Sequence, residues 1–431
     1  MGLVTALRDD ALAIATAWRR LDLDGPVARA LRPWRDRPVD LLALGKAAPT
    51  MADAVRRAGG VSVRRAMVIT TGEAARPGDL VGDHPVVAGR SLAAGAAALD
   101  FVASGEVGVP LVLALSGGAS ALAAAVFDPV DEGDLAALWS AALRTGADIG
   151  VLNHVRAAVS RLGGGALSAA ARSADVVVLT MVDNVVSGPD WVGSGPATPY
   201  VAAPDEIGSL ASRVGLDGEV VDRWRVAARA RAEWLATRPM PRISRVLVAT
   251  PDDALAAAVA EARRRGYRVV SKGARVVDEA ARAASIWCEE LEVAPGEGTV
   301  VVGVGEVSVR VTGSGRGGRC QEFVARAAVE LATAGWLDAV ATGVATDGRD
   351  HEVDVGGAIV TASDLERARR QGCDVEGALR ANDSRRIVEA CGGTLPASAT
   401  GWNLCDVYVI VGQRRGRDRL AGTLGPREER P

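Results

Sequence analysis

Lysine is nearly missing from this 431-residue chain: of 50 basic residues, only Lys46 and Lys272 are lysines and 48 are arginines. Aromatic residues make up 3% of the sequence, which leaves little material for the stacking platforms that hold single-stranded nucleic acid. The five cysteines (Cys288, Cys320, Cys373, Cys391 and Cys405) are odd in number and lack CxxC spacing. Neither a disulfide frame nor a zinc site is expected from them; they read as reduced cytosolic thiols. A formal charge of −3 exerts no general pull toward nucleic acid or membrane. No apolar run is long enough to span a bilayer, and residues 1–10 lack the charged start and apolar core of a signal peptide. The expectation is a soluble, cytoplasmic protein with neither nucleic acid nor membrane as a partner. A chain of this length exceeds one ordinary core, so two or three domains are expected.

What is present organises itself as alternating strands and helices. Asp40–Leu44, Ala66–Thr70, Pro110–Leu115 and Asp175–Met181 are short apolar runs of buried-strand type. Helical stretches at Thr50–Arg57, Arg90–Val102, Asp134–Leu143 and Gly165–Arg172 separate them. This pattern predicts a doubly wound α/β domain over residues 1–238, closed by a polar helical stretch from Asp205 to about Arg238. After Pro239–Pro241 a second α/β pattern opens, over 239–431, with a mixed sheet. Its strands are expected at Arg245–Ala249, Tyr267–Val270, Asp338–Thr342 and Val407–Val411, with helices at Ala254–Arg265, Asp278–Glu290 and Gln321–Leu331. Strict alternation at Thr299–Val304 and Val307–Val311 predicts an antiparallel hairpin bent at Gly303 and Gly305. The arginine-rich tail after Gly412 looks dispensable.

Four glycine-bearing turns fall at strand ends. The first is Gly45-Lys46, where one of two lysines sits at the carboxyl end of a strand. Open α/β sheets bind their ligands there, and a compact ammonium is not interchangeable with a guanidinium. The second, Ser116-Gly117-Gly118-Ala119-Ser120, precedes a helix and offers backbone donors to an anion, although it lacks the ending of a Walker loop. The third, Gly313-Ser314-Gly315-Arg316-Gly317-Gly318-Arg319, sets two guanidinium groups on a backbone-lined surface suited to phosphate or carboxylate. It also holds a formal GxGxxG at Gly313, Gly315 and Gly318, the rival sign of a dinucleotide site. Against that rival stand the hairpin expected before it and the distance of Asp347, farther than the usual spacing of about 20 residues. The fourth turn, Asp347 to Gly357, places Asp347, Asp350 and Asp354 at intervals that suit Mg²⁺ held with phosphates but not an EF-hand. His84 and His154 lie in polar loops and read first as structural, and Asn382-Asp383-Ser384 reads as a helix cap.

In this order the segments resemble the glycerate 2-kinase family, whose carboxyl-terminal part is the MOFRL domain, from about Leu41 to Val411. Gly45-Lys46-Ala47 matches the family's GKA, Ser116–Leu122 its SGGGSAL loop, and Gly315–Glu322 its GRGGRNQE with Cys320 as the one change. His84-Pro85 begins its HPxPD motif; Asn153, Val155, Arg156 and Ser160 match N-x-VRxHLS. Asp347, Asp350, Asp354 and Gly357 match its TDGxDGxTDxxG loop, and Thr400 to Asp406 matches TGTNVND.

The resemblance implies an ATP- and Mg²⁺-dependent kinase in which two α/β domains, the first Rossmann-like, close on a small hydroxy acid. Lys46, Arg316, Arg319 and Asp347 would be catalytic, with Ser116, Gly117, Gly118, Ser120, Gly315 and Gly317 on phosphates. His84, Asn153, Arg156, Trp402 and Asn403 would bind substrate, and Asp347, Asp350 and Glu306 the metal. Self-association as a homodimer stays open, as do an NAD(P)-dependent reductase and a non-catalytic relative.

The departures concentrate near the implied centre. Gly163 and Ala166 stand where the family has a lysine and an arginine. Val182-Asp183 and Val186-Ser187-Gly188 stand in its SDVxGDD run, which removes two carboxylates. Trp402 replaces a small hydroxyl residue. Lost charge and added bulk point to an acceptor less anionic or larger than glycerate, or to weakened catalysis.

Overall fold

The computed structural model describes residues 2–58, 60–145, 149–183, 188–216, 218–291 and 298–413. Six parallel strands form the first sheet: β1 (Pro38–Leu44), β2 (Ser62–Thr70), β3 (Leu80–Val81), β4 (Leu111–Leu115), β5 (Asp175–Met181) and β6 (Arg242–Ala249). Their order is β3-β2-β1-β4-β5-β6. β1 and β4 are buried almost throughout because helices cover both faces, as parallel sheets require. Asp40 is the buried exception in β1, and Arg64 and Arg65 of the neighbouring strand hold it at 2.7 and 2.8 Å.

The second sheet comprises β7 (Arg268–Ser271), β8 (Gly298–Gly305), β9 (Val340–Ala345), β10 (Val355–Thr361), β11 (Thr394–Pro396) and β12 (Asp406–Gln413). It runs in the order β11-β10-β9-β12-β8-β7, antiparallel except between β7 and β8, and is the mixed sheet expected.

Three expectations are corrected here. The chain does not divide at 238/239, because β6 lies beyond Pro241 yet pairs in parallel with β5 as the first sheet's edge. Conversely, the amino-terminal helix Leu3–Ala15 packs on β9 and β12 of the second sheet through Leu7, Ala11, Ile14 and Ala15. No hairpin forms at 299–311: β8 finds β12 and β7 as neighbours, and the following segment makes only a single bridge, Ser308 to Glu279. His154 lies within the helix Ile149–Val159 rather than a loop, its Nδ1 2.7 Å from the Gly150 carbonyl.

One apolar core joins the sheets. It runs from Leu41 and Ala43 of β1 and Val177 of β5 through the helices Leu3–Ala15, Asp24–Leu31, Ala48–Ala58 and Pro251–Arg264 to Val302, Val407 and Val409. Separate clusters cover the outer faces of the two sheets. A fourth cluster holds together the helices Glu132–Thr145, Ile149–Val159, Pro204–Arg213 and Gly218–Ala236. Among the described residues no helix is long and apolar enough to cross a membrane.

Candidate active site

The strand order of the first sheet reverses between β1 and β4, and the crevice at such a switch point is where open α/β sheets bind ligands. Gly45-Lys46 leaves the end of β1 and Ser116–Ser120 the end of β4, so the two turns flank that crevice. They are stitched together: Ala47 N donates to Ser116 Oγ (3.0 Å) and Lys46 N to the Gly117 carbonyl (2.9 Å). Gly45 has φ 124°, and a Cβ there would lie 2.2 Å from Ser116 Oγ. Only glycine permits both that conformation and that approach. The amides of Gly117, Gly118, Ala119 and Ser120 donate to no acceptor among the described residues.

The second sheet supplies the opposite wall. Asp347 follows β9, Glu306 follows β8, and Asp406 begins β12, which pairs with both strands at this edge. Lys46 Nζ donates to Asp347 Oδ2 at 2.7 Å, across 301 residues of sequence. Burial favours the neutral form of each group, but each outweighs that for the other: the Lys46 pKa is raised and the Asp347 pKa lowered. Arg319 pairs with Glu306 (2.9 Å) and Asp406 (3.1 Å); against burial, these carboxylates raise its pKa further. At the rim Arg349 meets Glu73 at 2.6 Å. The cleft between the walls measures about 950 Å³ and is lined by Lys46, His84, Glu306, Arg319, Asp347 and Trp402, among others.

Residues 11–227 match the family model of a domain of unknown function, DUF4147, and residues 299–406 match the MOFRL family. A provisionally named hydroxypyruvate reductase of Agrobacterium vitis is 31% identical over 386 residues, 85% of each chain. D-glycerate 2-kinase of Thermotoga maritima is 28% identical over 383 residues, 86% of this chain and 90% of that one. Glycerate 2-kinase of Pyrococcus horikoshii is 27% identical over 399 residues, 88% of each. The crystal structure of the Thermotoga maritima glycerate kinase shares the fold, with a TM-score of 0.78 over 95% of this chain and 100% of that one at 24% identity. The chain belongs to the glycerate 2-kinase family.

The family motifs do not all converge. Lys46, His84, Glu306, Arg319, Asp347, Gly315, Gly317 and Trp402 line the cleft. Gly118 borders it, since a Cβ there would touch His84 and the Lys46 stem at 3.2–3.3 Å. His84 is held near pKa 4, by burial and then by the Lys46 charge, so it is neutral at pH 7. Arg316 is not among the lining residues; 67% exposed, it pairs with Glu352 at 2.8 Å. Asp350 is buried, and its oxygens accept from Cys320 N (3.0 Å), Gln321 N (2.9 Å) and Gln321 Nε2 (3.1 Å), which anchors the start of the helix Arg319–Thr333. Each carboxylate of the expected metal set has a partner within the protein: Asp347 faces Lys46, Glu306 faces Arg319, and Asp350 accepts from amides. Among the described residues no three acidic, histidine or cysteine side chains gather around one point.

Other expectations shift role. The glycine-rich loop closes on protein: Cβ atoms at Gly315 and Gly318 would meet Asp383 and Asp350 at 2.5 and 2.3 Å. Asp383 accepts Arg316 N, and Asn382 accepts Thr312 N and Gly313 N, so this turn holds the loop and its side chains do not cap the helix that follows. Asn153 is buried and accepts Ser194 Oγ at 3.2 Å. The Trp402 ring, 9% exposed, sits edge-on to Trp18 at 5.9 Å, so its bulk is taken up largely by the core.

Two important groups were not singled out from sequence. Asp183 accepts Asn403 Nδ2 at 3.1 Å and lies so close to Gly117 that a Cβ there would be 1.5 Å from its Oδ2. Burial, then Glu306, pushes its pKa up to about 6. It is what remains of the family's acidic run; Val186 and Ser187 lie outside the described residues. Arg231, fully buried, donates to the carbonyls of Ser160 (2.8 Å), Gly163 (3.1 Å), Gly164 (2.6 Å) and Tyr200 (2.7 Å). A cation thus braces from behind the turn that lost one in front. Nothing local in the sequence marks an arginine inside a polar helix as buried.

Proposed function

We propose that this chain transfers a phosphoryl group from ATP to a hydroxyl of a small hydroxy acid. The observation that carries the reading is the Lys46–Asp347 pair at the β1/β4 switch point, where motifs 301 residues apart meet. Phosphoryl transfer calls for positioning and charge neutralisation. Lys46 and the free amides of Gly117 to Ser120 provide a cation and donors on one wall of the cleft, and Arg319 provides a second cation on the opposite wall. The acceptor then lies toward His84 and Asp183. Mg²⁺ would arrive on the nucleotide phosphates, which need only one or two protein carboxylates.

The names of the Thermotoga and Pyrococcus relatives support glycerate as the acceptor class. The reductase reading rests on the formal GxGxxG, but close contacts with Asp383 and Asp350 account for glycine at 315 and 318 without a pyrophosphate. The test is ATP consumption with product mass over glycerate, larger sugar acids and hydroxylated metabolites, beside a titration with reduced nicotinamide cofactor. Phosphorylated product supports the reading; tight nicotinamide binding with no ATP turnover refutes it.

A further inference from the structure

Arg319 reaches the cleft with 40% of its side chain exposed, yet all three of its nitrogens are held. Nη1 and Nη2 meet the two oxygens of Glu306 at 2.9 and 3.0 Å, and Nε meets Asp406 Oδ2 at 3.1 Å. The same Asp406 oxygen accepts the Tyr408 hydroxyl at 2.9 Å. That hydroxyl in turn accepts the amide of Val307, the residue after Glu306, at 3.4 Å. One buried phenol therefore touches both arms of the clamp: one carboxylate directly, and the backbone beside the other. Sheet register explains its reach. Asp406 and Tyr408 lie two apart in β12, so their side chains leave the same face. The residues paired with Tyr408 are both glycines, Gly303 in β8 and Gly343 in β9, which leaves space for a ring between them. Trp287 and Phe323 then pack on it, with ring centres 6.3 and 4.9 Å away. Packing sets the ring, and the ring carries its oxygen to Asp406.

An arginine aimed at a cleft loses side-chain entropy, and a cation serves phosphoryl transfer best when it is aimed beforehand. Groups behind the contact residues supply that rigidity. Tyr408 is fully buried, and neither it nor Asp406 lines the cleft. Burial raises the Asp406 pKa and Arg319 opposes it; a hydroxyl donating to the carboxylate favours the charged form, which grips the guanidinium. We propose that Tyr408 is a positioning residue whose hydroxyl, through Asp406 and the backbone beside Glu306, holds the Arg319 guanidinium at the cleft. Tyr408 lies outside the motifs that carry the family resemblance, and only the sheet brings it to Arg319. The kinase reading gives Arg319 its task, and the proposal rests on that reading.

The test is a double-mutant cycle on ATP-dependent phosphorylation of D-glycerate by the full chain. Tyr408→Phe removes one oxygen and keeps the ring; kcat should fall roughly 3–10-fold, the range of one hydrogen bond, with neither KM moving as far. In an Arg319→Ala background the same change should leave kcat where it was, because the hydroxyl acts only through the guanidinium. A phenol that merely supports the core would slow both backgrounds by one factor. Equal factors, or an unchanged kcat in Tyr408→Phe, overturn the proposal. Should Tyr408→Phe fail to fold, Asp406→Asn goes through the same cycle, with the same outcome required. A ligand-free crystal structure of the folded variant needs no turnover: Arg319 should leave its contact with residue 406. Arg319 displaced, in a protein whose wild type transfers no phosphoryl group, would defeat the kinase reading and leave the positioning standing. Arg319 unmoved overturns the positioning whatever the turnover.

Discussion

Replacing Lys46 by methionine keeps most of the stem and removes the charge, and the structure fixes what should follow. At 2.7 Å and an effective dielectric of about 20, opposite unit charges attract by roughly 6 kcal/mol. Burial opposes ionisation at both groups and is the largest single influence on each, so the net contribution is much smaller. Breaking a buried pair commonly costs about 3–5 kcal/mol; with 26% and 18% of the side chains exposed, roughly 2–3 kcal/mol is expected. Adding Asp347→Asn removes the stranded carboxylate and should recover part of that loss, which a double-mutant cycle measures by urea unfolding.

The pH dependence has a definite sign. The lowered Asp347 pKa contributes stability above about pH 3.9, lost as the pH falls through its folded value. The raised Lys46 pKa contributes below about pH 10.4, and this is lost as the pH rises through its folded value. The wild-type and Lys46→Met stability curves should separate between those limits and converge outside them. On activity, loss of one preorganised cation predicts a fall in kcat of about 10²–10³. Turnover near wild type, or a coupling energy below about 0.5 kcal/mol, would refute the assignment of this pair to the centre.

Further outcomes follow from the same geometry. Arg319→Ala should depress turnover strongly because it strips both Glu306 and Asp406, whereas Arg316→Ala, on an exposed pair outside the cleft, should retain most activity and shift stability by about 1 kcal/mol or less. Steady-state rates of the two variants separate the arginines that sequence leaves equivalent. Gly117→Ala drives a methyl into Asp183 and should cost about 1–3 kcal/mol on unfolding, together with a large loss of turnover. If the Asp183 carboxylate is used, the pH–rate profile should fall below about pH 6 and Asp183→Asn should abolish that limb. A His84 proton resonance followed by NMR should titrate near pH 4, well below an ordinary histidine, and move upward in Lys46→Met.

Much of the molecule was legible because local pattern and tertiary role coincide. Leu41–Leu44 and Leu111–Leu115 read as strands since both faces are covered, and Gly45-Lys46 reads as a turn since glycine is needed there. The pattern misled where partners were unknown. Val307–Val311 alternates like a strand but pairs only through the single bridge of Ser308 to Glu279, not as a hairpin with β8. Arg242–Ala249 looks like the start of a new domain but completes the old sheet. Asp350 carries the acidic signature of a metal ligand and is used to fix a helix, and Trp402, read as bulk in the substrate site, is largely taken up by the core.

The sequence by itself determined the alternation of strands and helices, the turns that end β1 and β4, and the family motifs, because each depends on residues near one another in the chain. Only the tertiary structure decided which charges meet. Electrostatic pairing is set by distances of a few ångströms between segments hundreds of residues apart. It joined Lys46 to Asp347, turned Arg316 away and Arg319 inward, braced the 160–164 turn with Arg231, and left Arg156 without a carboxylate among the described residues.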